Sequence, residues 1–353
     1  MNPSSSLPIF DGHNDALLRL YRKALPVSSF FERVEEGHLD LPRAREGGFA
    51  GGLFACFVPS ESGDTELPAP DQGGYAVPFP RTPGLERARS VTLALAARLQ
   101  RLARDSRGAI VVCRSAADIR RCLDECALAA VFHIEGAEAI DPELEGLEVL
   151  HAAGLRSLGP VWSRPNAFGH GVPFRFPSSP DTGPGLTDAG KALVRACNEL
   201  RIMIDLSHLN EAGFWDVAAL SDAPLVASHS NAHALCACSR NLTDRQLAAI
   251  RETGGLVGLN LAVGFLRADG RNDPDTPLGL LADHVDHLVE HLGVDGVALG
   301  SDFDGCTVPA AIRDAAGLPA LVETLRARGY DEPSLRKFAH GNWLRVLERT
   351  WGG

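Results

Sequence analysis

Six side chains able to ligate a metal or carry a proton recur at one kind of place along the chain. Short apolar runs end in His13 and Asp15 ("PIFDGHND"), Glu135 ("VFHIEG"), His208 ("IDLSH"), His229 ("LVASH") and Asp302 ("ALGSD"). A lone histidine at a strand end is ordinarily a hydrogen-bonded packing residue. Six such residues on five runs ask for a common cause, and parallel strands of one barrel supply it, because their ends meet at a single mouth. In His13-Asn14-Asp15, residues i and i+2 of an extended chain point to the same side. Both can therefore reach one ion while Asn14 faces away. Three imidazoles with carboxylates suit zinc or a similar borderline divalent ion better than calcium or magnesium, which favour oxygen shells. Three histidines and two carboxylates also exceed the three protein ligands of an open mononuclear zinc site, so two Zn2+ per chain are expected.

The elements that must position these residues are legible as alternating apolar runs and stretches of helical period, the pattern of repeated βα units. Strands are expected at about 7–12, 53–58, 128–134, 155–162, 202–207, 224–228, 255–260 and 296–301, with 109–113 as an accessory strand. Helices are expected at 187–200 and 243–253, N-capped by Thr187 and Thr243, and at 211–220 and 277–293. Eight such units predict a (β/α)8 TIM-like barrel, an α/β fold with the metal site at its C-terminal mouth, formed by residues 1–353 as a single domain. A doubly wound open sheet is the rival, but no G-x-G-x-x-G or G-x-x-x-x-G-K-[ST] loop follows any strand. Two stretches rich in Pro and Gly, 59–84 and 163–186, each follow a strand and are expected over the mouth.

The 353 residues, 45% hydrophobic and 22% charged, suffice for a large core. A net charge of −11 argues against nucleic acid and anionic membranes, which are bound through clustered Lys and Arg. The longest apolar stretch, 255–266, falls short of the roughly 18–20 residues of a membrane span. "MNPSSSLPIF" carries no basic region followed by an apolar one, so a cytoplasmic location is expected, with the eight cysteines as reduced thiols. Cys236 and Cys238, like Cys122 and Cys126, could be half of a zinc site but lack a partner pair. His284, His287 and His291 share a helical face and read as a solvated one; His133 reads as a core hydrogen-bonding residue. Arg240 falls in the loop after the sixth strand, where a guanidinium could grip a carboxylate with two parallel hydrogen bonds.

The motifs "DGHND", "DLPRAREGGFAGG", "HIEGAEAI", "GLTDAG", "IDLSHLN", "SHSNAHALCACSRN" and "GSDFDG" occur in the order seen in the renal (membrane) dipeptidase family of metallopeptidases, within the amidohydrolase-like barrels. The chain resembles that family from about residue 9 to "GNWLRV" at 341–346. The resemblance implies a binuclear zinc site with His13 and Asp15 on one ion, His208 and His229 on the other and Glu135 between them. It implies Asp302 as the residue that handles the proton and Arg240 as the holder of the substrate's C-terminal carboxylate, with Asn241 beside it as a further substrate contact. Well-known members end the fourth strand in a Thr-His-Asn type sequence whose His approaches the substrate carbonyl. Here the stretch is "LGPVWSRPNAFGHG" and Trp162 takes that place, so Arg164, Asn166 or His170 is expected as substitute donor, or the metal polarises the carbonyl alone. The activity implied is hydrolysis of small dipeptides, L,L and L,D, by a hydroxide bridging the two ions. The alternatives are hydrolysis of N-acyl amino acids or other small amides and lactones on the same site, and an inactive relative serving as a binding or maturation protein. Dimers are common in the resembled family, which makes a homodimer the expected assembly.

Overall fold

The computed structural model describes residues 7–60, 67–70 and 73–352. Residues 1–6, read above for a leader, and 61–66 and 71–72 of the first mouth loop lie outside the described residues. Eight parallel strands form one ring: β1 (Ile9–Asn14), β2 (Phe49–Phe57), β3 (Leu128–Glu135), β4 (Leu155–Gly159), β5 (Met203–Ile204), β6 (Val226–Ser230), β7 (Leu256–Leu259) and β8 (Val297–Leu299). Pairing runs in sequence order, with β8 returning to β1. The remaining seam, β5 to β6, is closed by the bridge Asp205–Val226, with Leu206 N–H donating to Val226 O at 2.8 Å. Ile110–Val112 pairs outside the ring against β3, as the accessory strand expected of "AIVVC". Among the described residues no helix is long and apolar enough to cross a membrane.

The strands read as almost unbroken apolar runs because both faces are covered. Alternation still sorts them. Phe54, Ala130, Phe132 and Ile134 face the surrounding helices, while Leu53, Ala129, Val131, Met203, Val226, Leu256 and Ala298 fill the interior with Phe10 and Trp343. Trp343, from the C-terminal helix Asn342–Trp351, packs 6.2 Å from Phe10 between ring centroids and donates its indole N–H to Leu299 O at 2.9 Å. The interior is thus plugged by the layer below the mouth, which leaves the C-terminal strand ends as the place for chemistry. Both predicted N-caps are present: Thr187 accepts from Gly190 N–H, and Thr243 forms a capping box with Gln246. The two Pro/Gly-rich loops meet over the mouth, where Tyr75–Ala76 and Arg175–Phe176 pair as a short antiparallel ribbon.

Glycines set how closely the site-bearing strands approach. A Cβ on Gly12 would lie 2.2 Å from Ser228 O, and one on Gly300 only 2.0 Å from the same atom. His13 and His229 follow Gly12 and Ser228 directly and Asp302 follows Gly300 by two residues, so bare glycines at this level bring the functional residues within reach of one another. Gly300→Ala is expected to cost at least the roughly 1–3 kcal/mol of an overpacked core site in denaturant unfolding; an unchanged midpoint would show that the strands yield freely.

Candidate metal centre

The ends of β1 and β8 are laced together. Asp11 accepts from Ser301 N–H at 2.6 Å and from Ser301 Oγ–H at 2.9 Å, Asp302 N–H donates to His13 O at 3.0 Å, and Asp15 N–H donates to Phe303 O at 2.7 Å. Asn14 turns away, as the i, i+2 spacing requires, and its amide donates to Leu53 O at 3.1 Å. Two site residues, His208 (φ 70°) and Asp302 (φ 59°), sit in the left-handed region that ordinary residues avoid. Such backbone strain, worth on the order of 1–3 kcal/mol each, accumulates where side chains must be aimed.

All six expected residues converge. Glu135 Oε1 lies 3.0 Å from His208 Nε2, 3.5 Å from His229 Nε2 and 3.7 Å from His13 Nε2, and His13 Nε2 is 3.4 Å from Asp15 Oδ2. Three overlapping triads could each hold an ion: His13, Asp15 and Glu135; Glu135, His208 and His229; and His13, His229 and Asp302. Hydrogen bonding fixes which nitrogen faces inward. Ser228 Oγ–H donates to Asp205, so Ser228 Oγ accepts from His229 Nδ1–H at 2.7 Å and the Nε2 lone pair is left for the centre. His208 Nδ1 pairs likewise with Ser163 Oγ at 2.8 Å. The two Nε2 atoms stand 3.1 Å apart, close enough that a divalent cation beside them could be held by both.

The electrostatics point the same way. Burial holds His208 and His229 well below the ordinary histidine range, so both are neutral ligand-type imidazoles. Burial pushes Glu135 up to about 8 and raises Asp302, which is the cost of carboxylates packed together away from water. Both ring nitrogens of His13, and Asp15 Oδ1, are buried with no hydrogen-bond partner among the described residues. Unpaired buried groups of this kind are rare unless an ion completes them. The donor set therefore fits divalent metal of the borderline class, with nitrogen and oxygen ligands and no thiolate.

Above the centre opens a cavity of about 430 Å³ whose lining includes Asp15, Glu135, Trp162, His208, Asp302 and Phe265. Trp162 is half-buried in its wall, 4.9 Å from Phe57, 5.5 Å from Phe174 and 5.8 Å from His208 between ring centroids. None of the three substitute donors reaches this cavity. Arg164 is fully buried and spends its guanidinium on Glu138 (2.7 Å), Ser60 Oγ (3.0 Å) and Val58 O (2.7 Å). Asn166 donates to Pro160 O, and His170 Nδ1 stands 3.3 Å from Gly185 O. Each was read as available because its sequence neighbourhood is loop, whereas the tertiary contacts commit it to holding that loop.

Arg240 is buried behind β6, with Nη1–H on Ser230 Oγ at 2.9 Å and Nη2–H on His229 O at 2.8 Å. Those contacts spend two of the five guanidinium N–H groups. Burial lowers its pKa against the opposing charges of Asp302, Asp205 and Glu135, which places the cation beside the centre. Asn241 donates to Cys236 O at 2.9 Å and Phe265 O at 2.8 Å, tying the Arg240 loop to the cavity wall, while its Oδ1 is buried without a hydrogen-bond partner.

Residues outside the centre sort as follows. His133 bonds Ser157 Oγ at 2.9 Å, and burial lowers its pKa to about 4, the core role expected of it. His284 departs from the expected solvated face: it is buried, with Nε2–H on Leu266 O (2.9 Å) and Nδ1 accepting from Ala232 N–H (3.2 Å). The helix packs that edge against the loop after β6, which helical period alone does not reveal. The cysteines are all free. Sequence reading missed Asp205, Ser228, Ser163 and Asn260, whose Nδ2–H steadies Asp302 Oδ2 at 3.1 Å. Asn260 closes the seventh apolar run, so the strand-end rule would have found it.

An eight-stranded parallel barrel whose mouth gathers three imidazoles and three carboxylates has the donor set of a metal-dependent hydrolase. The chain belongs to the membrane dipeptidase family (peptidase family M19), whose model matches residues 4–351. It is a metallo-dipeptidase, a hydrolase of peptide bonds. The chain is similar to a metallopeptidase from Rhodobacter sphaeroides solved with a phosphinate mimic of the dipeptide L-Ala-D-Ala, at 54% identity and TM-score 0.94, covering 98% of this chain and 100% of that one. It is similar to the solved structure of a family M19 dipeptidase AC at 54% identity and TM-score 0.94, covering 99% and 100%. An uncharacterized protein in the pqqA 5' region of Klebsiella pneumoniae is 55% identical over 253 residues, 72% of this chain and 93% of that relative.

Proposed function

We propose that the protein is a zinc-dependent dipeptidase that holds two ions per chain and cleaves small dipeptides, including those with a D-residue at the C-terminal position. The observation that carries the reading is a single oxygen, Glu135 Oε1, lying 3.0–3.7 Å from the Nε2 atoms of His208, His229 and His13 at the floor of the cavity. An atom so placed suits a carboxylate shared by two cations. The likeness to the Rhodobacter sphaeroides enzyme with its L-Ala-D-Ala mimic supports the L,D preference.

His13 and Asp15 would hold one ion, His208 and His229 the other, with Glu135 between them. Ions so held would supply Lewis acidity to an attacking water and to the scissile carbonyl. Asp302, with Oδ2 steadied by Asn260, would accept the water's proton at its carboxylate and pass it to the leaving amine. Burial raises its pKa, which suits a group that must both take and give a proton near neutral pH. The unspent N–H groups of Arg240 would grip the substrate's free carboxylate, fixing the distance from carboxylate to scissile bond and favouring short peptides. Asn241 would hold the loop that presents Arg240, and Trp162, with Phe57 and Phe174, would narrow the wall to small side chains.

Arg240→Ala is expected to raise KM for dipeptides by about 10²-fold or more, the loss of a charged anchor worth roughly 3 kcal/mol, while C-terminal amide analogues lacking the free carboxylate lose little further. The reading as a whole is tested by zinc analysis together with rates on L,L-dipeptides, L,D-dipeptides and N-acetyl amino acids. Two zinc ions per chain and highest kcat/KM on L,D-dipeptides are expected. Preference for N-acetyl amino acids would make the protein an acylase on the same site, and less than one zinc per chain with no turnover would make it an inactive relative.

A further inference from the structure

The helix Leu278–Leu292 carries two histidines that neither the centre nor the core uses. His287 and His291, four residues apart, present their rings side by side at 4.5 Å between centroids. Facing them is Asp244, the first residue of the neighbouring helix Asp244–Glu252. Asp244 Oδ1 lies 2.8 Å from His287 Nε2 and 3.7 Å from His291 Nε2, and one ligand atom from each of the three residues lies within 4.8 Å of the others. A tetrahedral ion with bonds of about 2.0–2.1 Å sets its ligand atoms about 3.3 Å apart, and the two observed distances bracket that edge. Small torsional changes at partly exposed side chains would equalise them: the side chains are 16% (His287), 29% (His291) and 49% (Asp244) exposed.

We propose that Asp244, His287 and His291 form a separate divalent-metal site on the helical layer, taking one ion of the zinc class with water in the fourth position. Two imidazoles and one carboxylate select zinc, copper(II), nickel or cobalt over magnesium and calcium. His291 also lines an adjoining groove with Ala248, Arg251, Glu252 and Glu290, and the partial exposure of all three side chains leaves room for water or an exogenous ligand. The ion would add a tie between two helices already joined by packing, the His–Asp contacts and the Arg251 guanidinium donating to His291 O at 3.5 Å. One of them begins four residues after Arg240, so occupancy would stiffen the segment that presents the substrate-binding guanidinium.

The test is equilibrium dialysis of the full chain, zinc-loaded at the barrel mouth, against rising free zinc, for the wild type, His287→Ala, His291→Ala and Asp244→Asn. The wild type is expected to hold one more zinc per chain than either histidine variant. Asp244→Asn should weaken that extra equivalent by at least the about 10–100-fold that loss of a supporting partner costs a metal site. Added zinc should raise Tm in the wild type and leave it unmoved in the histidine variants, whose dipeptidase activity at the mouth should persist. Copper(II) should give an electron-paramagnetic signal from the extra equivalent that the histidine variants lack. Equal zinc content in wild type and both histidine variants would overturn the site, and equal displacement by magnesium would overturn the assigned ion class.

Discussion

Asp302→Asn is expected to leave the metal content of the mouth unchanged and to lower kcat on dipeptides by about 10²–10⁴-fold, the usual share of general acid–base catalysis. The substitution isolates the proton-carrying role for three reasons. Asparagine matches the shape, so Asn260 can still pair with position 302, where its Nδ2–H now meets Asp302 Oδ2 at 3.1 Å. Asparagine also tolerates the left-handed backbone, φ 59°, better than most residues. The backbone bond from residue 302 N–H to His13 O involves no side chain and survives. What vanishes is the ability to take a proton and return it. Steady-state rates with metal analysis of the same sample check the result, and activity within tenfold of wild type would remove Asp302 from the mechanism.

The second large effect is expected at Glu135. Glu135→Gln keeps the side chain's volume but replaces a charge that faces three imidazoles with a neutral amide. Burial, with the neighbouring charges of Asp15 and Asp302, pushes the wild-type carboxyl up to about 8, so its ionised form gains strongly from cations held beside it. Loss of at least half the bound metal is expected, with kcat/KM falling by more than about 10³-fold as two held cations lose their shared anion. Stability separates this from misfolding. After chelation the variant should unfold no earlier than chelated wild type, since an amide is cheaper to bury than a carboxylate. A variant with full metal content and near-normal activity would show that the histidines alone retain the ions.

Much of this was readable in the chain. The eight barrel strands lie where the apolar runs put them, with edges displaced by up to about four residues. The helix caps at Thr187 and Thr243 were fixed by residue types within a few positions of each other. The six candidates at strand ends could be singled out because parallel barrel topology sends every such end to the same place. What could not be read were contacts among residues far apart in sequence whose meeting has no local signature. Arg164 looked like a spare cation above the mouth until Glu138, Ser60 and Val58 claimed it. Asp205 and Ser228, on different strands, join only in three dimensions to orient His229.

By itself, then, the sequence determined the barrel, its polarity and the chemical types gathered at its mouth, because these follow from local periodicity and from the residue that ends each strand. Tertiary structure alone decided which nitrogen each histidine turns inward, that Trp162 walls the cavity while its polar neighbours hold the loop, and that one face of the helix 278–292 splits into a buried His284 and a pair meeting Asp244. The reason is physical. A hydrogen bond or a ligand triad depends on distances of about 3 Å between segments whose approach is set by the packing of the whole core, and no stretch of sequence contains that information on its own.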